Sequence, residues 1–194
     1  MGVDGRSAAL VGGIAVLERA IAYLLGSLAV VTPQALARPT PCEHWDLYDL
    51  LDHLDDSLSA LHEAVDVGTV ALAATRPISG EAVILRVRER ATRLLGGWAN
   101  TSGEPSVGVD DEPLSAAVVA GAGAIEVAVH GWDVARSCGP ARPIPADLAG
   151  ELLDLSVLLV RGADRPGRFG RPVAVPLDAS PGDRLVAFLG RPPQ

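Results

Sequence analysis

The sequence predicts an all-α protein, a four-helix bundle followed by a short C-terminal extension. Four long segments carry apolar residues at alternating spacings of four and three, the seam of a helix packed lengthwise on others. Short polar or proline-bearing breaks separate them, as in bundles with antiparallel neighbours. The chain has 194 residues, of which 48% are hydrophobic and 21% charged, enough to bury one sizeable core.

The first seam, Leu10, Ile14, Leu17, Ile21, Leu24, Leu28 and Val31, predicts a helix from about Ser7 to Val31, ended by Thr32-Pro33. Glu18 and Arg19 interrupt it and Asp4 precedes it, so the run Ala8 to Val31 is expected to be neither a membrane span nor an export signal. An apolar strip on this helix leaves monomer and homodimer both open. The stretch "RPTPCEH", Arg38 to His44, reads as a loop crossing the end of the next helix.

Asp46 is the N-cap expected for a second helix to about Val65, with Leu47, Leu50, Leu51, Leu54, Leu58 and Leu61 on one face and His53 on its flank. A third is expected from Ser79 to about Asn100, through Ile84, Val87, Ala91, Leu94 and Trp98. A fourth, with Pro113 in its first turn, is expected to reach Ser137 and stop at Gly139-Pro140. Its apolar face is Leu114, Val118, Ile125, Val129 and Trp132. Beyond it the sequence predicts a fifth helix from Asp147 to Val160, a connection from Arg161 to Arg171, a short extended segment from Pro172 to Leu177 and a last helix from Ser180 to Leu189. The expected division is a bundle over residues 1–140 and an extension over 141–194.

Charge and cysteine usage narrow the function. A formal net charge of -8 opposes nucleic acid and anionic membrane as partners, since both require a basic face. All 16 basic residues are arginine, a composition that suggests a GC-rich bacterial genome. Cys42 and Cys138 alone do not make a disulfide framework, and a reduced, cytoplasmic setting is expected. The chain shows no G-x-S-x-G elbow, P-loop or dinucleotide fingerprint.

Chemistry concentrates in "AIEVAVHGWDVARSCG", Ala124 to Gly139. At about 100° per residue, Glu126, His130 and Asp133 fall within roughly 60° of one another beside the apolar face. A carboxylate and an imidazole four apart can converge on one cation, or they can be a solvated pair. His53, on the margin of another interior face, is the natural third ligand. Two neutral imidazoles and a carboxylate leave a divalent ion about one net positive charge, enough to favour hydroxide or thiolate at neutral pH. Asp133 has three readings: a contact to a ligand or substrate, a cap, or a partner for Arg136. Cys42 and His44 read as a gate or substrate contact, or as packing around Trp45. His62, beside Glu63, reads as solvated, and the three tryptophans as packing residues. Arg184 and Arg191 read as arms for an anionic substrate or as surface ion pairs.

The chain resembles the actinobacterial metal-binding proteins of the mycothiol-dependent maleylpyruvate isomerase family, in the DinB-like superfamily of helical bundles. Three blocks carry the resemblance: "TPCEHWDLYDLLDHL" at Thr40 to Leu54, "EVAVHGWDVARSCG" at Glu126 to Gly139, and "DASPGDRLVAFLGRPP" at Asp178 to Pro193. It implies a metal site of His53, Glu126 and His130, with zinc the first candidate and nickel the second. It also implies mycothiol as cosubstrate and a small electrophile as substrate, hence a transferase or isomerase. By its position alone Asp133 is the candidate catalytic group, a carboxylate to shuttle protons where the ion activates water. Metal-hydroxide hydrolysis and noncatalytic metal or small-molecule binding are the alternatives. The extension here is too short to match the larger α/β C-terminal domain of the isomerase that gives the family its name, and this departure puts maleylpyruvate isomerisation in doubt.

Overall fold

The computed structural model describes residues 3–66, 68–70, 80–97, 106–109, 112–139, 142–162, 165 and 169–193, with side chains from residue 12 onward. Helices α1 (Val3–Leu28), α2 (Leu47–Asp66), α3 (Ala82–Leu94) and α4 (Ala116–Cys138) form the bundle, α1 lying against α4 and α3, and α2 against the same two. Helices α5 (Ala146–Leu159) and α6 (Pro181–Phe188) follow, α5 packing on α4, α1 and α6. A single hydrophobic core runs through all of them.

The leucine stripe of α2 is buried as its spacing requires, Leu47, Leu50, Leu51, Leu54, Leu58 and Leu61 all facing inward. Asp46 caps it reciprocally with Asp49: Asp46 Oδ1 accepts from the Asp49 amide at 2.9 Å, and Asp49 Oδ2 accepts from the Asp46 amide at 3.2 Å. On α1, Leu17, Ile21, Leu24 and Leu28 are buried and Ile14 is half-buried; the Leu10 side chain lies outside those described.

Three expectations are corrected. Helix α3 ends at Leu94, because the chain turns through Gly96 at φ 81°; Ser79, Trp98 and Asn100 lie outside the described residues. The fourth helix begins at Ala116, since the segment around Pro113 pairs instead as a strand, and Ser115 is its N-cap, accepting from the Val118 amide. Strands β1 (Thr69–Val70), β2 (Ser106–Val109) and β3 (Glu112–Ser115) make a small sheet in that order, β1 parallel to β2 and β2 antiparallel to β3. Residues 172–177 form no strand; Pro172 and Pro176 lack amide donors, and the Val173 amide bonds the Ala187 carbonyl of α6.

Helix α4 is interior on nearly every side. Leu114 and Val118 of its expected apolar face are exposed, whereas every residue from Gly123 to Ala135 except Glu126 is buried. By length and hydropathy it could cross a membrane, yet 72% of that stretch is buried within the protein, as in a core helix. Small residues admit its neighbours: a Cβ at Gly131 would lie 3.2 Å from the Tyr23 ring and 3.3 Å from the Leu24 Cα of α1.

A buried carboxylate clasps α2 to α3. Asp55 is fully buried and ion-paired to Arg86 and Arg90, whose side chains stay 30% and 21% exposed. His62, read from sequence as solvated, donates from Nε2 to the Arg90 carbonyl at 3.0 Å on the same seam. Removing a buried partner strands its counter-charges, but these arginines can turn partly to water. Asp55→Ala is therefore expected to cost about 2 kcal/mol, read from urea unfolding midpoints.

Candidate metal centre

One helix supplies the spine of the site. Glu126, His130 and Asp133 follow one another down α4 at spacings of four and three, so they share a face. His53 enters from α2, where its place beside the leucine stripe puts its ring against that face. Its Nε2 lies 2.6 Å from Glu126 Oε1, and His130 Nε2 lies 3.1 Å from the same oxygen. The two imidazoles meet edge to face with centroids 5.1 Å apart.

The loop before α2 closes over them. Arg38 donates to the Cys138 carbonyl at 3.2 Å, tying the loop to the C-terminus of α4, where a cation also meets the negative end of the helix dipole. Within the loop the Thr40 amide bonds the Trp45 carbonyl, and Thr40 Oγ1 accepts from the Cys42 amide at 3.1 Å. His44 takes φ 69° and is exposed at the tip. This framework sets the Trp45 ring 4.8 Å from His53 and 6.3 Å from His130.

Burial grades across the cluster: the His53, Glu126, His130 and Asp133 side chains are 35%, 29%, 8% and 0% exposed. Solvent thus reaches the His53 side and not the Asp133 side. An open depression of about 490 Å³ lies there, lined by His44, Trp45, Asp49, Asp52, His53 and Asp56.

Behind His130 the polar groups close on one another. Asp133 Oδ2 accepts from His130 Nδ1 at 3.0 Å, from the Arg191 guanidinium at 3.0 Å and from the Cys42 thiol at 3.3 Å. Of the three readings open for Asp133, the contact to a candidate ligand is the one present; Arg136 instead lies over the Trp132 ring at 5.4 Å. Arg191, read from sequence as a substrate arm or surface pair, is 7% exposed, so the bland expectation for it is corrected; Arg184 is exposed. No spacing signal links Arg191 to Asp133, because their meeting depends on how the extension folds back.

Among the described residues, two groups of side chains have donor atoms within 4.8 Å of one another: His53, Glu126 and His130, and Cys42, His130 and Asp133. The second already holds a cation, since the Arg191 guanidinium lies 3.4 Å from Cys42 Sγ and 3.0 Å from Asp133 Oδ2. The first has two imidazole nitrogens and a carboxylate oxygen converging at the solvent-facing end. With His130 Nδ1 engaged by Asp133, Nε2 is left to serve as the donor atom, the arrangement that metal-ligating histidines adopt. The residues fit a divalent ion of the zinc or nickel kind.

Burial opposes each charge in this cluster, and the partners override it. The imidazoles beside Glu126 hold its carboxyl well below the usual range, while Glu126 and Asp133 hold His130 well above 6.5. Arg191 and His130 likewise depress Asp133. In the metal-free protein, the imidazolium contribution to stability is full below pH about 6.5 and is lost as pH rises through the folded-state value. The contribution of Glu126 is present above pH about 4.3 and lost on acidification. Metal-free protein is expected to lose stability on the alkaline side, and His130→Gln to flatten that limb, in urea midpoints measured from pH 5 to 10.

The family profile described as the mycothiol maleylpyruvate isomerase N-terminal domain matches residues 17–135. Two uncharacterized proteins of Mycobacterium tuberculosis, from the Oshkosh and H37Rv strains, are each 28% identical over 185 residues, covering 90% of this chain and 94% of their own length. No solved structure matches the chain significantly.

Proposed function

The chain belongs to the family of the mycothiol maleylpyruvate isomerase N-terminal domain, and on that footing we propose that it is a cytoplasmic metal-dependent enzyme acting with a low-molecular-weight thiol, mycothiol by family, on a small electrophile. The reaction is thiol transfer to that electrophile or its thiol-assisted isomerisation. The observation that carries the reading is the meeting of His53 Nε2 and His130 Nε2 on Glu126 Oε1, at 2.6 and 3.1 Å, beside an open depression. His53, Glu126 and His130 would hold zinc or nickel, three protein ligands leaving a coordination position open. When bound, the ion supplies Lewis acidity that favours the thiolate at neutral pH.

The residues divide the remaining work. Trp45 covers the imidazoles with apolar surface, lowering the local dielectric, which strengthens every charge interaction beneath it. Asp133 holds His130 from the side away from the depression, fully buried and engaged by Arg191. We assign it orientation of the imidazole in place of a catalytic role. That geometry also weakens the hydrolytic alternative, which needed Asp133 to shuttle protons beside bound water.

The lining of the depression bears on the substrate. Asp49, Asp52 and Asp56 stand at its wall, and no arginine is among the described residues that line it. A field of that sign concentrates cations and repels anions. A neutral or cationic electrophile fits it better than a dicarboxylate such as maleylpyruvate.

Purified protein is expected to carry about one equivalent of divalent metal, lost in His130→Ala, with sulfur entering the metal's first coordination shell in X-ray absorption when mycothiol is added. Folded, metal-free wild type that refuses added zinc would overturn the reading. Between matched electrophiles of opposite charge, wild type is expected to favour the cationic one, and the double variant Asp52→Asn, Asp56→Asn to shift kcat/KM several-fold toward the anionic one.

A further inference from the structure

We infer that Arg191, from the C-terminal segment, is a positioning residue of the metal centre: it fixes the Asp133 carboxylate, which in turn fixes the ring orientation and tautomer of His130. The inference rests on the metal-site reading above and adds to it a residue from the opposite end of the chain.

The contact is a fork. Arg191 Nε donates to Asp133 Oδ1 at 3.4 Å and its terminal nitrogen to Oδ2 at 3.0 Å, in a pocket that leaves Asp133 no solvent and Arg191 little. Two parallel bonds set the plane of a carboxylate as a single point charge does not. With that plane fixed, Oδ2 is aimed at His130 Nδ1, 3.0 Å away. The same guanidinium reaches Cys42 Sγ at 3.4 Å, so the loop before α2 is registered on the same anchor.

The segment that delivers Arg191 is itself constrained. Gly190 turns the chain at φ 88°, so close to Gly170 that a Cβ there would lie 2.5 Å from the Gly170 Cα. Only glycine meets both demands. The Arg191 amide then bonds the Val186 carbonyl at 2.9 Å, and its guanidinium also donates to the Leu189 carbonyl at 3.1 Å. Arg165 clamps the turn from outside, donating to the Gly170 and Phe188 carbonyls at 2.9 and 3.0 Å. Every donor of this arginine that the fold engages points inward, which a surface ion pair would not require. Metal-site partners of this kind alter affinity by about 10- to 100-fold when removed.

The test compares wild type, Arg191→Met, Arg191→Lys and Asp133→Asn, with the exposed Arg184→Met as control. Zinc affinity is measured by competition with a chromophoric chelator, the His130 tautomer by long-range nitrogen–proton NMR of zinc-loaded protein, and the exchange rate of its Nδ1 proton in metal-free protein. Wild type is expected to hold a slowly exchanging proton on Nδ1 in both states, as the Nδ1–H tautomer when zinc is bound. Arg191→Met is expected to lose that proton's protection and bind zinc at least about tenfold more weakly. Arg191→Lys, which keeps the charge without the fork, should restore affinity only in part, and Arg184→Met should match wild type. Where Arg191→Met does not fold, Arg191→Lys carries the decision: an unchanged tautomer, proton protection and zinc affinity in a folded Arg191→Lys overturns the fork. Unchanged values in Arg191→Met overturn the inference outright. Wild type that binds no zinc overturns the metal reading instead, and the protection of the His130 Nδ1 proton in metal-free protein still decides the role of Arg191.

Discussion

A buried stretch of helix that carries three ionisable groups must have every one of them answered by some other part of the chain. Helix α4 is in that position: Glu126, His130 and Asp133 sit on a segment otherwise buried from Gly123 to Ala135. An unmet charge there costs several kcal/mol, more than most single contacts return. The rest of the architecture supplies the answers. Helix α2 brings His53 to Glu126, the loop before it brings Cys42 and Trp45, and the segment after α6 brings Arg191 to Asp133. Close approach of α1 at Gly131 leaves no room for a side chain between the two helices.

The polarity of the site follows from that arrangement. Among the described residues Glu126 is answered by imidazoles, and the His130 imidazolium can release its proton, whereas Asp133 is answered also by a guanidinium, which cannot. The first carboxylate can therefore exchange protonated His130 for a divalent cation without losing its counter-charge. The second is committed. One helix thus carries a candidate cation site at its solvent-facing end and a guanidinium-filled one behind it, sharing His130 between them.

What could be read in the sequence was whatever depends on local spacing. The leucine stripe of α2, the Asp46 cap, the shared face of Glu126 and His130 and the Ser180 start of α6 all lie within a few residues of their causes. His53 could be nominated because it flanks a regular stripe. Misreadings arose where tertiary pairing outranked local signals. Pro113 suits a helix start, but Val107 and Leu114 pair across a hairpin, and strand pairing moved the start to Ser115. Of the apolar face assigned to α4, Ile125, Val129 and Trp132 are buried and Leu114 and Val118 are not; burial extends beyond that face because small residues such as Gly123, Ala124 and Ala128 let neighbours close over the rest of the helix. Arg191 was misjudged as surface because fifty-eight positions separate it from Asp133 and no periodicity spans them.

That separation has a thermodynamic consequence. The family profile spans residues 17–135 and so contains all three candidate ligands and Asp133, but the guanidinium that compensates Asp133 lies beyond it. A bundle cut at the end of the profile would keep the ligand set and leave a carboxylate buried behind His130 without its strongest counter-charge. Its means of relief are to take up a proton or to let water in, and both loosen the hold on the imidazole. Closing a long loop to bring Arg191 home costs only slowly increasing entropy, while the buried fork it completes is short-ranged and specific. The C-terminal extension is therefore better understood as part of the support of the candidate metal centre than as an appendage to a self-sufficient bundle.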